Sequence, residues 1–180
     1  MTQGRTMPDD FSIARASEGD AAALSRIGRS TFTDTFGHLY RREDLEMFLE
    51  DKHSPQAYAR VLGDDRTAAW LVRDADEAIV GYAVAAPCDL PVPNMKPNAG
   101  ELARLYLSKE AQGGGVGGRL LREALQWLTS NFDAVYLSVY AENPGAQRLY
   151  ARHGFIKIHD YHYMVGNHAD PEWIMELSRE

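Results

Sequence analysis

The segment 112–118 contains five glycines and is the part of the chain best suited to chemistry. It follows a predicted strand at 101–107 and opens a predicted helix at 116–130. The first N–H groups of a helix have no partner within the helix, and the helix dipole places partial positive charge there. Because glycine has no Cβ atom, such backbone donors can close on a diphosphate. The segment therefore predicts a site for a phosphorylated cofactor.

Two common phosphate-binding motifs do not account for these glycines. A P-loop requires Gly-Lys-Ser/Thr, whereas Gly118 precedes Arg119 and Leu120, so the P-loop is excluded. Gly113, Gly115 and Gly118 match the G-x-G-x-x-G spacing of a Rossmann fold, but a run this rich in glycine satisfies many patterns. The remaining chain is also too short for the second half of a dinucleotide-binding fold.

A second candidate segment begins at Asn143. Asn143 suits an N-cap, Pro144 suits the first helical position, and Gly154 follows the last turn, so a helix is predicted over 143–153. The strands predicted around this helix are 134–140 before it and 155–163 and 173–177 after it. The second half of the chain therefore has a β-α-β-α-β order.

The first half of the chain supplies the remaining predicted elements. Ser17 and Asp20 have the spacing of a capping box, which predicts a helix that runs to about Phe32. Residues 31–38 are poor in helix formers and are predicted to form a loop. The other predicted elements are a strand at 11–16, helices at 42–49 and 55–62, a hairpin of strands at 67–73 and 78–86, and a proline-rich loop at 87–97. The whole order predicts an α+β fold with one mixed, mostly antiparallel sheet and helices on both faces.

Length and composition bound the classes of function. With 180 residues, 44% of them hydrophobic and 25% charged, the chain has the size of one domain, which we place at 11–180 behind a disordered tail at 1–10. A net charge of −7 disfavours binding to nucleic acid. Cys88 is the only cysteine, so an internal disulfide is excluded and a cytoplasmic location is expected. No segment matches a signal peptide or the run of about 20 apolar residues that spans a bilayer, so no membrane partner is expected.

Together, the two candidate segments resemble the GNAT superfamily of acyl-CoA-dependent N-acetyltransferases. Gln112, Gly115 and Gly117 form a Gln-x-x-Gly-x-Gly pattern in the first segment. The second segment contributes Asn143, Ala146 and Tyr150, followed by His153, Gly154 and Phe155. The resemblance implies a GNAT-like fold, with strands that splay at a cofactor cleft, and an enzyme that uses acetyl-CoA as co-substrate.

Acetyl transfer to an amine explains why these residue types are needed. A free alkylamine has a pKa near ~10.4, so it arrives protonated and must lose a proton before it attacks directly. The resemblance implies Glu101 as the general base, although a carboxylate that opens a strand is as often merely solvated. It implies Tyr150 as the acid that protonates the leaving thiolate, although a helix would also bury an aromatic residue there.

The resemblance also implies how the cofactor is held. Backbone N–H groups of a splayed strand would bind the thioester carbonyl and the pantetheine arm, as in β-augmentation. The glycine turn would bind the diphosphate, and an arginine would pair with a phosphate. The residues expected to bind the cofactor are Leu105, Tyr106, Leu107, Gln112, Gly113, Gly114, Gly115, Val116, Gly117, Gly118, Arg119, Asn143, Ala146 and Tyr150.

The front and the end of the chain resemble, more narrowly, the PaiA-type bacterial polyamine acetyltransferases. This resemblance rests on 31–36, on the acidic helix after it and on 163–175. It implies spermidine or spermine as the acceptor, with Asp34, His38 and Glu43 as candidate substrate-binding residues. If this narrower resemblance is set aside, the acidic residues are interpreted as an ordinary solvated helix face.

Two other functions stay open at the level of sequence. A protein acetyltransferase would modify N-termini or lysines of peptides, and a non-catalytic sensor would bind acyl-CoA without turnover.

His159 and His162 lie three apart in a predicted strand and so face opposite sides, and we expect no metal. Members of the superfamily are often dimers, so a homodimer is expected without an assigned surface.

Overall fold

The computed structural model of the protein describes residues 10–179. It contains seven strands and five α-helices within that range. The strands are β1 (Ser12–Arg15), β2 (Ala68–Arg73), β3 (Ile79–Pro87), β4 (Ala99–Leu107), β5 (Ala134–Tyr140), β6 (Phe155–Val165) and β7 (His168–Leu177). The α-helices are α1 (Ala21–Phe36), α2 (Arg42–His53), α3 (Pro55–Leu62), α4 (Val116–Asn131) and α5 (Pro144–Arg152).

All seven strands form one sheet in the order β1-β2-β3-β4-β5-β7-β6. The β4–β5 pair is parallel, and the other five pairs are antiparallel. The parallel pair is joined through α4, as a crossover requires. The predicted mixed, mostly antiparallel sheet is confirmed.

Side chains of the central strands point alternately to the two faces of the sheet, and each face carries an apolar core. Leu71 and Tyr82 pack with Leu24 of α1 and Tyr58 of α3 on one face. On the other face, Val72 and Ala83 pack with the buried side of α4. Successive strand residues point to opposite faces, so nearly continuous apolar strands such as β2 require helices on both sides.

Helix α1 ends later than predicted, and the expected loop at 31–38 is wrong. The helix continues to Phe36, and a 3-10 turn, Gly37–Leu39, follows it. Phe32 and Phe36 are both buried, with ring centroids 5.2 Å apart. Burying a Phe side chain contributes about 1.5–3 kcal/mol, whereas a weak helix former costs about 0.7 kcal/mol or less. Packing therefore overrides local propensity here.

Two other boundaries also extend beyond the predictions, because tertiary contacts stabilise them. Helix α2 continues past residue 49 to His53, whose ring is buried and whose Nδ1 lies 2.9 Å from the Tyr58 hydroxyl. Strand β7 begins at His168, five positions before the predicted start at Trp173, because β6 and β7 form a long hairpin. Gly166 has φ +56° in the turn of that hairpin, a conformation that favours glycine.

The predicted tail at 1–10 lies, apart from Asp10, outside the described residues. The capping box is present: Asp20 Oδ2 accepts a hydrogen bond from the Ser17 N–H at 2.8 Å. It opens a 3-10 turn, Glu18–Asp20, that leads into α1. None of the described helices has the length and apolarity needed to cross a membrane.

Candidate active site

A cleft opens where β4 and β5 separate. The two strands pair only between Ala99–Leu102 and Ala134–Leu137. Beyond Leu102, β4 stays paired with β3, while β5 continues against β7. The predicted splay is therefore present, and the cleft has a volume of about 610 Å³.

The exposed edge of β4 offers backbone groups to this cleft. Ser108 N–H donates to the Val80 carbonyl at 2.7 Å, which fixes the alternation of the antiparallel β3–β4 ladder. Tyr106 therefore directs its N–H to β3, whereas Leu105 and Leu107 direct theirs into the cleft. The Leu107 carbonyl accepts a hydrogen bond from Gln112 Nε2 at 3.2 Å, which is consistent with that orientation. Two of the three predicted strand amides thus face the cleft.

The glycine turn forms the end of the cleft at the start of α4. Gly113 and Gly115 have φ of +83° and +84°, and a Cβ atom at either position would meet no atom within 4 Å. Gly115 is the N-cap of α4, so the unpaired first N–H groups of that helix point into open space. These features fit a diphosphate. Gly117 and Gly118 line the same space.

Three predicted cofactor residues are placed differently. The Val116 side chain is fully buried in the core, so only its backbone is available, and Gly114 does not line the cleft. Arg119 Nη1 donates to the Phe11 carbonyl at 3.3 Å, on the side of α4 that faces the N-terminal strand. The arginines on the cleft wall are instead Arg104 and Arg152.

Helix α5 brings Tyr150 to the opposite wall of the cleft. Asn143 caps the helix, since its Oδ1 accepts from the Ala146 N–H at 3.2 Å, and both residues line the cleft. Tyr150 is 7% exposed, and its ring packs edge-to-face on Phe155. Burial, with a smaller effect of the Glu172 charge, raises the pKa of Tyr150, so its hydroxyl keeps its proton at neutral pH. The ring belongs to the core while the residue lines the cleft.

A second cavity, which we call the acceptor pocket, adjoins the cleft and has a volume of about 330 Å³. It lies between α1, α2 and the β6–β7 hairpin, and rings such as Phe32, Phe48 and Tyr163 form part of its wall. The residues that line both cavities define a junction between them: Phe36, Ala103, Arg104, Tyr106, Ser138 and Glu172.

Glu101 lies in the acceptor pocket. Burial raises its pKa from 4.5 to about 7, and this outweighs the opposite effects of the Asp89 N–H and the Arg104 guanidinium. The Asp89 N–H donates to Glu101 Oε2 at 3.0 Å. Arg104 is held by the Tyr58 ring, 5.2 Å from its centroid, and by the Lys52 carbonyl at 3.3 Å.

Glu172 was missed by the sequence analysis. It lies on β7 and accepts a hydrogen bond from Ser138 Oγ at 2.6 Å. Burial raises its pKa to about 7, and the nearby Asp170 carboxylate adds to the shift. Asp170 and Glu172 are two residues apart on β7, so a strand that included both would have placed both carboxylates on one face of the sheet. The sequence analysis began that strand only at Trp173.

The predicted substrate residues do not line the acceptor pocket. Asp34 and His38 are exposed in a third cavity, between α1 and the ends of β4 and β5, and exposed Glu43 lines none of these three cavities. Because α1 is helical to Phe36, Asp34 lies about 200° around the helix from Phe32. The acidic side chains of the acceptor pocket are instead Asp89, Glu101, Asp170 and Glu172.

A histidine pair on β6 and the Cys88 thiol are the other candidates for chemistry. His159 and His162 lie on β6, and no cluster of three metal-ligating side chains occurs within residues 10–179. Cys88 is half-buried, and burial raises the pKa of its thiol to about 11, so at neutral pH it is a poor nucleophile.

The sequence model of the acetyltransferase (GNAT) family matches residues 29–155. The chain belongs to this family. Its members transfer acetyl groups from acetyl-CoA, and this GNAT enzyme accordingly has the cleft described above. A curated relative, an uncharacterized N-acetyltransferase of Lactobacillus delbrueckii, is 26% identical over 91% of this chain and 95% of its own.

Solved structures share the fold of this GNAT enzyme. The PaiA N-acetyltransferase of Thermoplasma acidophilum, in complex with coenzyme A, has a TM-score of 0.71 at 21% identity and covers 94% of this chain and 99% of its own. The spermidine N-acetyltransferase of Vibrio cholerae, in complex with CoA and spermine, has a TM-score of 0.61 at 20% identity, with 94% and 95% covered.

Proposed function

We propose that this GNAT enzyme acetylates a small primary amine, first of all a polyamine such as spermidine or spermine, by direct attack on acetyl-CoA. The observation that carries the proposal is the junction. It joins a cleft suited to the thioester with an acidic, aromatic acceptor pocket. A cytoplasmic location accords with the single cysteine, and a homodimer stays a prediction.

The cleft would hold the acetyl donor. The start of α4 and the glycine turn would bind the diphosphate, and the Leu105 and Leu107 backbones would bind the pantetheine arm and the thioester carbonyl. Each fixed donor aimed at a developing oxyanion is worth about 3 kcal/mol. Tyr150 would give its proton to the leaving thiolate, because its raised pKa keeps that proton in place until the thiolate forms.

The acceptor pocket would bind a cation. Four carboxylates line it, and its rings offer faces to which an alkylammonium is attracted. Three basic side chains line its wall. Lys52 Nζ pairs with Asp51 at 3.3 Å, and Arg104 is held by Tyr58 and the Lys52 carbonyl. Burial lowers the pKa of His53 to about 3, so His53 is neutral. The Vibrio enzyme bound to spermine adds structural support for a polyamine.

Direct attack is favoured over a covalent acetyl-enzyme. Cys88 follows the last residue of β3 and does not line the acceptor pocket. It packs against the apolar cluster that contains Ala99 and Tyr136. Its raised pKa leaves it without the thiolate that nucleophilic catalysis requires.

An amine panel tests the proposal. The full chain is incubated with acetyl-CoA, and thiol release is followed with spermidine, spermine, an aminoglycoside, free amino acids and a lysine peptide. We expect the highest kcat/KM with a polyamine. Acetylation of the peptide alone would instead indicate a protein acetyltransferase, and CoA binding without turnover on any amine would indicate a sensor.

A further inference from the structure

The reacting atoms must meet at the junction. The amine reaches the thioester from the acceptor pocket, and the thioester carbon lies in the cleft, so the base that takes the amine proton has to serve both cavities. Of the carboxylates within residues 10–179, Glu172 is the one that lines both. Glu101 and Asp170 line the acceptor pocket only.

Glu172 is fixed in this place from two sides. On β7 it stands opposite Tyr140 of β5 and Tyr161 of β6. Ser138 Oγ donates to Glu172 Oε2 at 2.6 Å, and the same Oγ lies 2.8 Å from the Tyr161 hydroxyl. Ser138 is the first β5 residue beyond the pairing with β4, so this network marks the point where the strands diverge.

The tyrosines around Glu172 do not titrate near neutral pH. The Glu172 charge contributes to raising the pKa of six tyrosines, which are all uncharged near pH 7: Tyr40, Tyr106, Tyr140, Tyr150, Tyr161 and Tyr163. The charged neighbours are Asp170 on the same strand, whose Oδ1 lies 2.8 Å from His168 Nδ1, and, across the pocket, Arg104 and Glu101 on β4. Burial raises the pKa of Glu101 to about 7 as well, so position and not pKa distinguishes the two carboxylates. A carboxylate beside Asp170 in a half-buried site is a stronger base than an exposed one.

We propose that Glu172, and not Glu101, accepts the proton of the attacking amine, with Ser138 as the residue that positions its carboxylate. The inference rests on the proposed function. The ammonium gives one proton to Glu172, and the neutral nitrogen then forms a C–N bond as the C–S bond breaks. The thiolate takes a proton from Tyr150, and the nitrogen loses its second proton to restore Tyr150. The net release is one proton, which leaves Glu172 through the acceptor pocket.

Glu101 then serves to hold the cation. Its Oε2 accepts from the Asp89 N–H, and both residues line the acceptor pocket but not the cleft. A polyamine extends its further ammonium groups in this direction. Glu101 is therefore a binding residue, and its loss raises KM for the amine more than it lowers kcat.

Glu172→Gln and Glu101→Gln are compared over pH 5.5–9.5 with saturating acetyl-CoA. In the parent enzyme, kcat rises with an apparent pKa near 7 and then levels off. Glu172→Gln lowers kcat by about 10²–10³-fold at pH 7, and its rate keeps rising through pH 9 because only hydroxide or water takes the proton. Glu101→Gln keeps the plateau and raises KM for spermidine. Ser138→Ala keeps the rise of kcat with pH but moves it to higher pH, because the Ser138 hydrogen bond lowers the pKa of Glu172.

Two outcomes overturn the assignment. One is a parent-like plateau in Glu172→Gln, and the other is loss of the plateau in Glu101→Gln alone. Acetyl-CoA titration by calorimetry confirms that each variant is folded and loaded. If Glu172→Gln fails this check, Glu172→Asp replaces it and must keep the rise of kcat near pH 7 at a reduced kcat. If the parent enzyme itself acetylates no amine, the proposed function fails first, and that result is distinct from both.

Discussion

Replacing Tyr150 by Phe separates the proposed acid from its packing role. The ring packs on Phe155 at a centroid distance of 6.0 Å, and Phe retains that contact. Among the described residues, burial and the Glu172 charge account for the shift of the Tyr150 pKa, without a contribution from a side-chain hydrogen bond. Removing the hydroxyl therefore changes the free energy of unfolding by less than about 1 kcal/mol.

The expected loss of turnover follows from the chemistry of the leaving group. A positioned general acid is worth about 10²–10⁴-fold. A thiolate, with a pKa near ~8.5, leaves more readily than an alkoxide, so we expect the lower part of that range. A decrease in kcat of about 10²–10³-fold corresponds to about 3–4 kcal/mol of transition-state stabilisation. Because burial raises the pKa of Tyr150, the decrease should be similar from pH 6 to pH 9.

The assay follows thiol release with saturating acetyl-CoA and spermidine, beside calorimetric titration of acetyl-CoA and chemical denaturation. Tyr136→Phe is the matched control, because Tyr136 is buried, lines neither the cleft nor the acceptor pocket, and its hydroxyl accepts a hydrogen bond from the Lys96 N–H at 3.3 Å. The control should lose about 1 kcal/mol of stability and keep kcat. If Tyr150→Phe loses stability and keeps kcat instead, Tyr150 is a core aromatic and the reasoning is refuted.

Three further perturbations test separate parts of the account. Gly115→Asp places a carboxylate at φ +84° in the proposed diphosphate space, so acetyl-CoA affinity should fall at least ~10-fold by calorimetry; normal affinity would move the diphosphate elsewhere. Burial raises the pKa of Glu172 from 4.5 to about 7, so the folded protein binds this proton more tightly than the unfolded chain and stability falls as pH rises through 7. Glu172→Gln should therefore flatten the decline in the free energy of unfolding between pH 5 and pH 8, by up to about 3 kcal/mol, and parallel pH profiles of parent and variant in chemical denaturation would contradict this. Cys88→Ser should retain kcat, since the thiol has a pKa of about 11, and loss of turnover with intact folding would point to a covalent intermediate.

The elements of the half of the site that we propose to hold the cofactor could be predicted, because their signals are local. A strand, a glycine turn and a helix N-terminus follow one another along the chain, and the second helix has its own cap at Asn143. The strand at 134–140 was predicted with the bounds that the structure shows. Such elements depend on periodicity and caps within a short window, which the sequence contains directly.

The acceptor half could not be predicted in the same way, because it is assembled from distant residues. Phe36, Ser138 and Glu172 meet at the junction although they come from α1, β5 and β7. The PaiA-type resemblance implied Asp34 as a substrate-binding residue, yet the continued helix turns it away from Phe32. Contacts of long sequence separation decide both outcomes, and no local pattern records them.

A crystal structure of the enzyme with acetyl-CoA tests the central claim most directly. The account predicts the diphosphate over the backbone of Gly113–Gly118, the thioester carbonyl at the Leu105 and Leu107 amides, and the sulfur within hydrogen-bond distance of the Tyr150 hydroxyl. Density for the diphosphate away from the glycine turn, or a sulfur atom out of reach of Tyr150, would contradict it.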